Sequence, residues 1–235
     1  MENFDQDIPA IINVSEPHFA LCFLVDTSKS MSLTQNGGTP PINALNEGFA
    51  QFKNDIIEND SILRNILDVA VIEFNDTHKV VQDFFPIEYL RSINLIANGG
   101  TMISPAIKEA LKIVRNRTQF YARLGTASYK PWVILISDGV PNDDVTEVAQ
   151  EINERTKAGK LHFFSVGLPG CNLSTLHLLS GSKVMIIKDS DFTSFFKWLK
   201  EYAESGFVAR AYPNEIKSID LPENIVIDIV NDWDW

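Results

Sequence analysis

Short apolar runs alternate with helical patterns along most of the 235 residues. Each run is continuous rather than interrupted at every second position, which is typical of a strand whose two faces are both buried. The runs are Phe19 to Val25, Val69 to Phe74, Trp132 to Ile136, Leu161 to Val166 and Val184 to Ile187. They predict the strands of a sheet that is covered on both sides.

Several segments between or after these runs have the spacing of amphipathic helices. In the clearest one, apolar residues recur every three or four positions and therefore share one helix face. Its apolar positions are Ile42, Leu45, Phe49, Phe52 and Ile56, and Pro40 and Pro41 mark its start. A second helix carries Ile103, Ile107, Leu111 and Val114, a third opens at Asn142, Asp143 and Asp144, and a last one spans about Phe192 to Ala203.

The alternation of strands and helices predicts an α/β fold. Right-handed crossovers between successive strands give a mostly parallel sheet with helices on both faces. One pair of runs breaks this rule, because only a short segment that includes Asn75 to His78 separates Val69 to Phe74 from Val80 to Phe85. That segment is too short for a crossover helix, so the pair is predicted to form an antiparallel hairpin with its second strand at a sheet edge.

We expect one domain over residues 17–205, flanked by an extension at 1–16 and an acidic, aromatic extension at 206–235. The composition shows no internal repeat and no linker before about Gly206. The last extension contains an apolar stretch, Asn224 to Val230, that either adds an edge strand or extends along a partner. It ends in Asn231 to Trp235, whose aromatic and acidic side chains are candidate anchors for another protein.

Composition narrows the classes of function. Hydrophobic residues at 45% and charged residues at 22% are usual for a globular protein and exclude a disordered chain. The net charge of -11 argues against nucleic acid and anionic membranes as partners. Cys22 and Cys171 lack the spacing of a zinc site, and the first residues lack the pattern of a signal peptide. Because the longest apolar run is also too short for a membrane span, we expect a soluble, cytoplasmic protein with reduced thiols.

Oxygen-bearing side chains follow two predicted strands and precede the second helix. In an open α/β sheet, ligands bind beyond the carboxyl ends of the strands, so these positions are candidates for a binding site. The candidates are Asp26, Ser28 and Ser30 after the first run, Thr101 in Asn98-Gly99-Gly100-Thr101, and Asp138 in Ser137-Asp138-Gly139. The glycines before Thr101 suit a tight loop in which the backbone passes close to a ligand.

Carboxylates and hydroxyls are hard ligands, and these positions have no thiolate or imidazole near them in the sequence. Such a donor set selects Mg²⁺, Mn²⁺ or Ca²⁺ over zinc or copper, and we expect Mg²⁺ first. Two aspartates offset the charge of a divalent ion, whereas three neutral hydroxyls leave the ion electrophilic. An incoming carboxylate can then displace a water molecule from it.

These motifs resemble those of von Willebrand factor A domains, and the resemblance extends over most of the chain. The metal-ion-dependent adhesion site of that family combines Asp-x-Ser-x-Ser with a Thr and an Asp, which match Asp26, Ser28, Ser30, Thr101 and Asp138. The resemblance implies a doubly wound, Rossmann-like three-layer sandwich whose mostly parallel, six-stranded sheet has one antiparallel edge strand. It also implies that Ser28, Ser30 and Thr101 coordinate the ion directly or nearly so, while Asp26 and Asp138 act partly through water.

Within that family the chain is similar to the bacterial tellurium-resistance, TerY-like type. The likeness is carried by Asp26 to Met31, Phe74 to Thr77 and Lys130 to Asp143. Proteins of that type are cytoplasmic and often accompany a protein kinase and a PP2C-type phosphatase in stress or defence systems. The likeness implies a non-enzymatic module whose cation bridges to an Asp or Glu carboxylate of a partner protein, such as that kinase or phosphatase.

Two other functions stay open on the sequence alone. A scaffold with a purely structural metal site would recognise its partners through the C-terminal tail. A Mg²⁺-dependent phosphohydrolase also places an aspartate at the end of its first strand, but it needs a second aspartate two residues later, where this chain has Ser28. The histidines show no spacing typical of nucleophilic catalysis, so we expect no enzymatic activity. They are His18, His78, His162 and His177.

Overall fold

A seven-stranded sheet forms the centre of the computed structural model, which describes residues 15–34, 38–59, 61–138, 140–181, 183–211 and 220–229. Its strands are β1 (Phe19–Asp26), β2 (Leu67–Phe74), β3 (His78–Pro86), β4 (Trp132–Ser137), β5 (His162–Gly167), β6 (Lys183–Ile187) and β7 (Ile225–Ile229). Their order across the sheet is β3-β2-β1-β4-β5-β6-β7. Each apolar run that predicts a buried strand corresponds to a strand of this sheet.

The central strands β2, β1, β4, β5 and β6 are parallel, whereas β3 pairs antiparallel with β2 and β7 pairs antiparallel with β6. The predicted mostly parallel α/β fold and its hairpin are therefore confirmed. The sheet has one strand more than the six expected, because Ile225–Ile229 pairs along β6. This pairing satisfies backbone groups that the outer edge of β6 would otherwise leave open. The apolar stretch before the tail is thus an edge strand.

Helices cover both faces of the sheet. The helices of the described residues are α1 (Pro41–Glu58), α2 (Leu63–Ile66), α3 (Ile103–Leu124), α4 (Thr146–Lys157), α5 (Leu173–Ser180) and α6 (Phe192–Ala211). Buried residues of α1, α2 and α6 pack on one face, and those of α3, α4 and α5 pack on the other, which completes the three-layer sandwich. Within the described ranges, no helix combines the length and the apolarity needed to cross a bilayer.

Two predicted helix boundaries were wrong. The third predicted helix begins at Thr146 rather than at Asn142, because Asn142 binds Thr101 in the loop before α3 and Asp143 binds the start of α3 itself. The last helix continues to Ala211, past its predicted end at Ala203. The apolar pattern also gave no sign of α5, whose Leu173 and Leu178 are exposed and blur its buried face.

The division of the chain at residues 16 and 205 stays a prediction. Of the first extension, Ser15 and Glu16 are described and residues 1–14 lie outside the described ranges. The tail from Asn231 to Trp235 lies wholly outside them.

Aromatic rings fill the layer between the sheet and helices α1 and α6. Phe23 of β1 meets Phe49 and Phe196 with ring centroids 5.2 and 5.6 Å apart. Gly48 permits the two helices to approach, because a Cβ added there would lie 2.7 Å from Cδ2 of Phe196. The glycine is therefore needed for packing rather than for an unusual backbone angle.

We expect Gly48→Ala to lower the free energy of unfolding by about 1–3 kcal/mol, since the added methyl group displaces the Phe196 ring. The better helix propensity of alanine, worth about 1 kcal/mol, does not offset this loss. Gly206→Ala in α6 is the matched control, because no atom lies within 4 Å of its added Cβ. Urea unfolding of both variants measures the difference. Stabilisation of both to the same extent would contradict the tight contact at Gly48.

Candidate metal centre

The predicted ligands meet at the carboxyl ends of β1 and β4. From β1 the chain first goes to β2 on one side and later returns to β4 on the other, so this is a topological switch point of the sheet. Three loops converge here. We define the first loop as residues 27–34, the second as 97–102 and the third as 138–145, of which residue 139 lies outside the described ranges.

Asp26 is the last residue of β1 and is fully buried. Its Oδ1 accepts a hydrogen bond from the N–H of Ser28 at 2.8 Å. Its Oδ2 accepts a hydrogen bond from the hydroxyl of Ser137, the last residue of β4, at 2.6 Å. This carboxylate therefore holds the first loop in a tight turn and joins it to the neighbouring strand.

A chain of hydrogen bonds links the first loop to the third. The hydroxyl oxygens of Ser28 and Ser30 lie 2.9 Å apart, and the Ser30 hydroxyl donates to Oδ1 of Asp138 at 2.8 Å. Ser30 and Asp138 are half-buried, whereas Ser28 and Asp26 are buried. Four of the five candidate ligands thus form one hydrogen-bonded group that reaches the surface on one side.

Thr101 enters the site from the second loop and is 5% exposed. Its N–H donates to Oδ1 of Asn142 at 2.7 Å, and its carbonyl accepts from the N–H of Asn142 at 2.8 Å. The N–H of Lys29 donates to the carbonyl of Gly99 at 3.0 Å, so the second loop is tied to both others. Among the described residues, no hydrogen bond joins the Thr101 hydroxyl to the other four candidates.

The second loop passes too close to its neighbours for larger residues. Gly99 has a φ of +74°, which favours glycine. A Cβ added at Gly100 would lie 2.7 Å from Oδ1 of Asn142 and 2.8 Å from Oδ1 of Asp76. The N–H of Gly100 donates to that same Asp76 oxygen at 2.8 Å. The two glycines thus allow the loop to lie against the rest of the site.

Three residues outside the predicted set hold the site in shape. Ser137 binds the anchoring carboxylate, and Asn142 binds the backbone of Thr101. The carboxylate of Asp143 accepts hydrogen bonds from the N–H groups of Ile103 and Ser104 at 2.9 and 2.8 Å, which caps the start of α3. Their polar character at strand and helix ends was visible in the sequence, but their partners were not.

Burial makes the two aspartates unfavourable as isolated anions. It raises the pKa of Asp26 to about 6, although hydrogen bonds from Ser137 and Ser28 lower it, and the charge of Asp138 raises it further. Burial also raises the pKa of Asp138, against the hydrogen bond from Ser30. A divalent cation between such carboxylates stabilises their charged forms.

The donor atoms suit a hard cation. Among the described residues, no group of three or more His, Cys, Asp or Glu side chains is placed to hold a metal ion. A cation at this site would therefore depend on serine and threonine hydroxyls beside two aspartates. Oxygen donors of this kind favour Mg²⁺, Mn²⁺ or Ca²⁺ over softer metals.

Comparison with known proteins gives relatives of several kinds. A family model for the von Willebrand factor type A domain matches residues 20–201. The collagen alpha-4(VI) chain of Mus musculus is 23% identical over 156 residues, which is 59% of this chain and 6% of the collagen chain. This chain therefore spans only a small part of that relative.

Solved structures with the same fold include two pilus proteins. The pilus adhesin SpaC from Lactobacillus rhamnosus GG matches with a TM-score of 0.63 and 14% identity, over 83% of this chain and 32% of SpaC. The PilB minor pilin from Streptococcus sanguinis matches with a TM-score of 0.54 and 13% identity, over 80% of this chain and 62% of PilB. At these identities the likeness concerns the fold.

The family model extends from β1 into α6 and includes the loops that carry all five candidate ligands. The sheet order, the helices on both faces and the site at the switch point agree with that match. The chain belongs to the von Willebrand factor type A domain family.

Proposed function

We propose that this chain is a protein-interaction module in which a divalent cation, Mg²⁺ first and Mn²⁺ or Ca²⁺ as alternatives, bridges to a carboxylate of a partner protein. The observation that carries the proposal is the hydrogen-bonded group of Asp26, Ser28, Ser30 and Asp138. It combines two carboxylates with two hydroxyls and is partly open to solvent. When bound, the cation supplies an electrophilic position for an incoming carboxylate oxygen.

The residues have different roles in this proposal. Asp26 orders the first loop and balances the charge of the ion from a buried position. Ser28 and Ser30 supply neutral oxygens, which leave the ion with unbalanced positive charge for the partner. Thr101 adds a hydroxyl from the second loop, and Asp138 holds a water molecule at the open side.

We infer that the chain acts by binding rather than by catalysis. In the competing phosphohydrolase reading, the residue two positions after Asp26 is the general acid, and here it is Ser28. The Ser28 hydroxyl hydrogen-bonds with Ser30, and its N–H donates to Asp26. A serine hydroxyl does not replace a carboxylic acid as a proton donor near neutral pH.

We propose that the module works in the cytoplasm, in a bacterial stress or defence system, with a protein kinase or a PP2C-type phosphatase as a partner. The support is the likeness of Asp26 to Met31 and Lys130 to Asp143 to TerY-like proteins. The free thiols of Cys22 and Cys171 accord with a reducing compartment.

A pull-down with paired baits tests the bridge. We expect a partner protein to be retained by the wild type with Mg²⁺, and retention to fall about tenfold or more with EDTA or with Asp26→Ala. Asp55→Ala in α1 is the matched control, because Asp55 contacts Gln51 rather than the metal site. Circular dichroism checks that each bait is folded.

Equal retention in all conditions would contradict metal bridging. Another surface would then bind the partner, as in the alternative function of a scaffold with a purely structural metal site. Since β7 pairs with β6 within the sheet, a tail that binds partners would begin after it, at Asn231 to Trp235. Those residues lie outside the described ranges, and substitution of Trp233 and Trp235 by alanine would test them.

A further inference from the structure

An open groove of about 510 Å³ lies between β3 and the second half of α3. Its lining includes Gln82 and Phe84 from β3, and Arg117, Phe120 and Arg123 from α3. The metal site faces the first turn of α3 at Ile103, and a helix rises 1.5 Å per residue, so Arg117 lies roughly 20 Å farther along the helix. The groove is therefore a separate surface that the proposed metal bridge does not use.

The groove is basic although the chain has a net charge of -11. Arg91, Arg117 and Arg123 line it, and of the described residues that do so Asp83 alone is acidic. Arg117 is compensated by Asp68, whose Oδ2 lies 2.9 Å from Nη2 of the arginine. Arg91 and Arg123 are exposed and make no ion pair within the described ranges. Their positive charge is available to a ligand.

Gln82 offers an acceptor in the same groove. The residue is 4% exposed, and its Nε2 donates to the carbonyl of Asp83 at 2.8 Å. Its Oε1 finds no hydrogen-bond donor among the described residues. A buried carbonyl oxygen without a partner is destabilising, so a ligand that donates an N–H to it is favoured.

The α3 wall of the groove is held in place from behind. The Arg117 guanidinium lies 5.1 Å from the ring centroids of both Phe120 and Tyr121. Its Nε donates to the Tyr121 hydroxyl at 3.1 Å. Because these side chains of α3 are already held in place, they lose little conformational entropy when a ligand binds, which favours binding.

The outer edge of β3 does not suit a continuous added strand. The register of β3 against β2 shifts between Val69 and Val71 and again between Val71 and Ile72. Bulges of this kind twist an edge strand and interrupt its row of backbone groups. Recognition in the groove therefore depends on side chains.

We propose that this groove binds an extended acidic segment of a partner protein. Carboxylates of the segment pair with Arg91 and Arg123. The Oε1 of Gln82 is buried and accepts a backbone N–H of the segment once the side chain turns toward the groove. Apolar side chains between the carboxylates pack against the half-buried Phe120. An arginine pair in an otherwise acidic protein selects for negative charge by complementarity.

A fluorescein-labelled peptide of alternating Glu and Leu tests the groove. The full-length protein is titrated into it at low ionic strength, and binding is followed by fluorescence anisotropy. We expect Arg91→Glu and Arg123→Glu each to weaken binding about tenfold or more, and added salt to weaken it further. EDTA leaves the affinity unchanged, which separates this surface from the proposed metal bridge.

Arg115→Glu is the matched control, because it makes the same charge change on an exposed position of α3 outside the groove. Equal binding by the wild type and Arg123→Glu would overturn the proposal, as would equally tight binding of a peptide of alternating Lys and Leu. Sedimentation velocity tests a different occupant. Self-association that Arg123→Glu abolishes would assign the groove to a second copy of the chain instead.

Discussion

Asp26→Asn is expected to abolish stabilisation by Mg²⁺ and, in its absence, to make the protein more stable than the wild type at pH 7. Asp26 is fully buried, and burial raises its pKa to about 6, so at pH 7 the folded protein carries a charge that its surroundings disfavour. A rise from 3.8 to about 6 corresponds to about 3 kcal/mol. Asparagine removes the charge and keeps the shape.

Asparagine can also keep both hydrogen bonds of the carboxylate. Its Oδ1 accepts from the N–H of Ser28, and its Nδ2 donates to the Ser137 hydroxyl, which rotates to accept. We therefore expect the free energy of unfolding of Asp26→Asn in EDTA to exceed that of the wild type by about 1–3 kcal/mol. With Mg²⁺ at about 100 times the Kd, the wild type gains about 2.7 kcal/mol and the variant gains nothing measurable. Denaturant unfolding in EDTA and in Mg²⁺ measures both effects.

The pH dependence of the wild type in EDTA follows from the same carboxyl. A carboxyl whose pKa is raised on folding binds its proton more tightly in the folded state, so stability falls as the pH rises from about 4 to about 6. The raised pKa of Asp138 acts in the same direction. Asp26→Asn makes this fall shallower. Equal responses of the wild type and the variant to pH and to Mg²⁺ would contradict the role of Asp26 as a buried metal anchor.

The strand ends are the part of the site that sequence reasoning located well. Asp26 directly follows one buried apolar run, and Asp138 follows another after Ser137 alone. The carboxyl ends of parallel strands meet at one edge of a sheet. The role of Ser137 could not be predicted in this way. A serine at a strand end is compatible with many environments, and its contact with Asp26 joins residues 111 positions apart.

In the third loop, two neighbouring aspartates bind the starts of two different helices. Asp144 accepts from the N–H and hydroxyl of Thr146 and so marks the start of α4, as polar residues before a helix usually do. Its neighbour Asp143 caps α3 instead, through the N–H groups of Ile103 and Ser104. Only the tertiary packing of the loop decides between the two helices. The sequence pattern likewise allowed the apolar stretch Asn224 to Val230 either to add an edge strand or to extend along a partner. The pairing of β7 with β6 shows that it adds an edge strand.

A buried cluster near the other end of the sheet gives the largest expected loss of stability. Asp68→Asn is expected to lower the free energy of unfolding at pH 7 by about 3–5 kcal/mol. Asp68 is 1% exposed, and its Oδ2 lies 2.9 Å from Nη2 of Arg117 and 3.2 Å from Nδ1 of His18. The same oxygen accepts a hydrogen bond from Tyr121. The variant leaves the guanidinium of Arg117, which is 7% exposed, without this carboxylate.

The stability of Asp68→Asn at low pH tests whether the charge of Asp68 is the cause of this loss. Burial raises the pKa of Asp68, but His18, Arg117 and Tyr121 outweigh burial, so the pKa lies below its ordinary value of 3.8. A carboxyl with a lowered pKa stabilises the fold above its unfolded-state pKa and loses that contribution as the pH falls through its folded-state pKa. We therefore expect the free energy of unfolding of Asp68→Asn to stay below that of the wild type from pH 7 to about pH 4. Urea unfolding should show that the difference becomes smaller below about pH 4.

A double-variant cycle separates the unpaired charge from simple loss of packing. Asp68→Asn combined with Arg117→Leu removes the buried cation as well, so we expect it to be more stable than Asp68→Asn alone, with a coupling of about 2 kcal/mol. Arg115→Leu on the exposed face of α3 is the control, and its effect should add to that of Asp68→Asn within about 0.5 kcal/mol. If the effects of Asp68→Asn and Arg117→Leu on the free energy of unfolding are additive, the two charges do not stabilise each other. The cluster would then depend on the stacked rings of His18 and Tyr121, whose centroids are 5.0 Å apart.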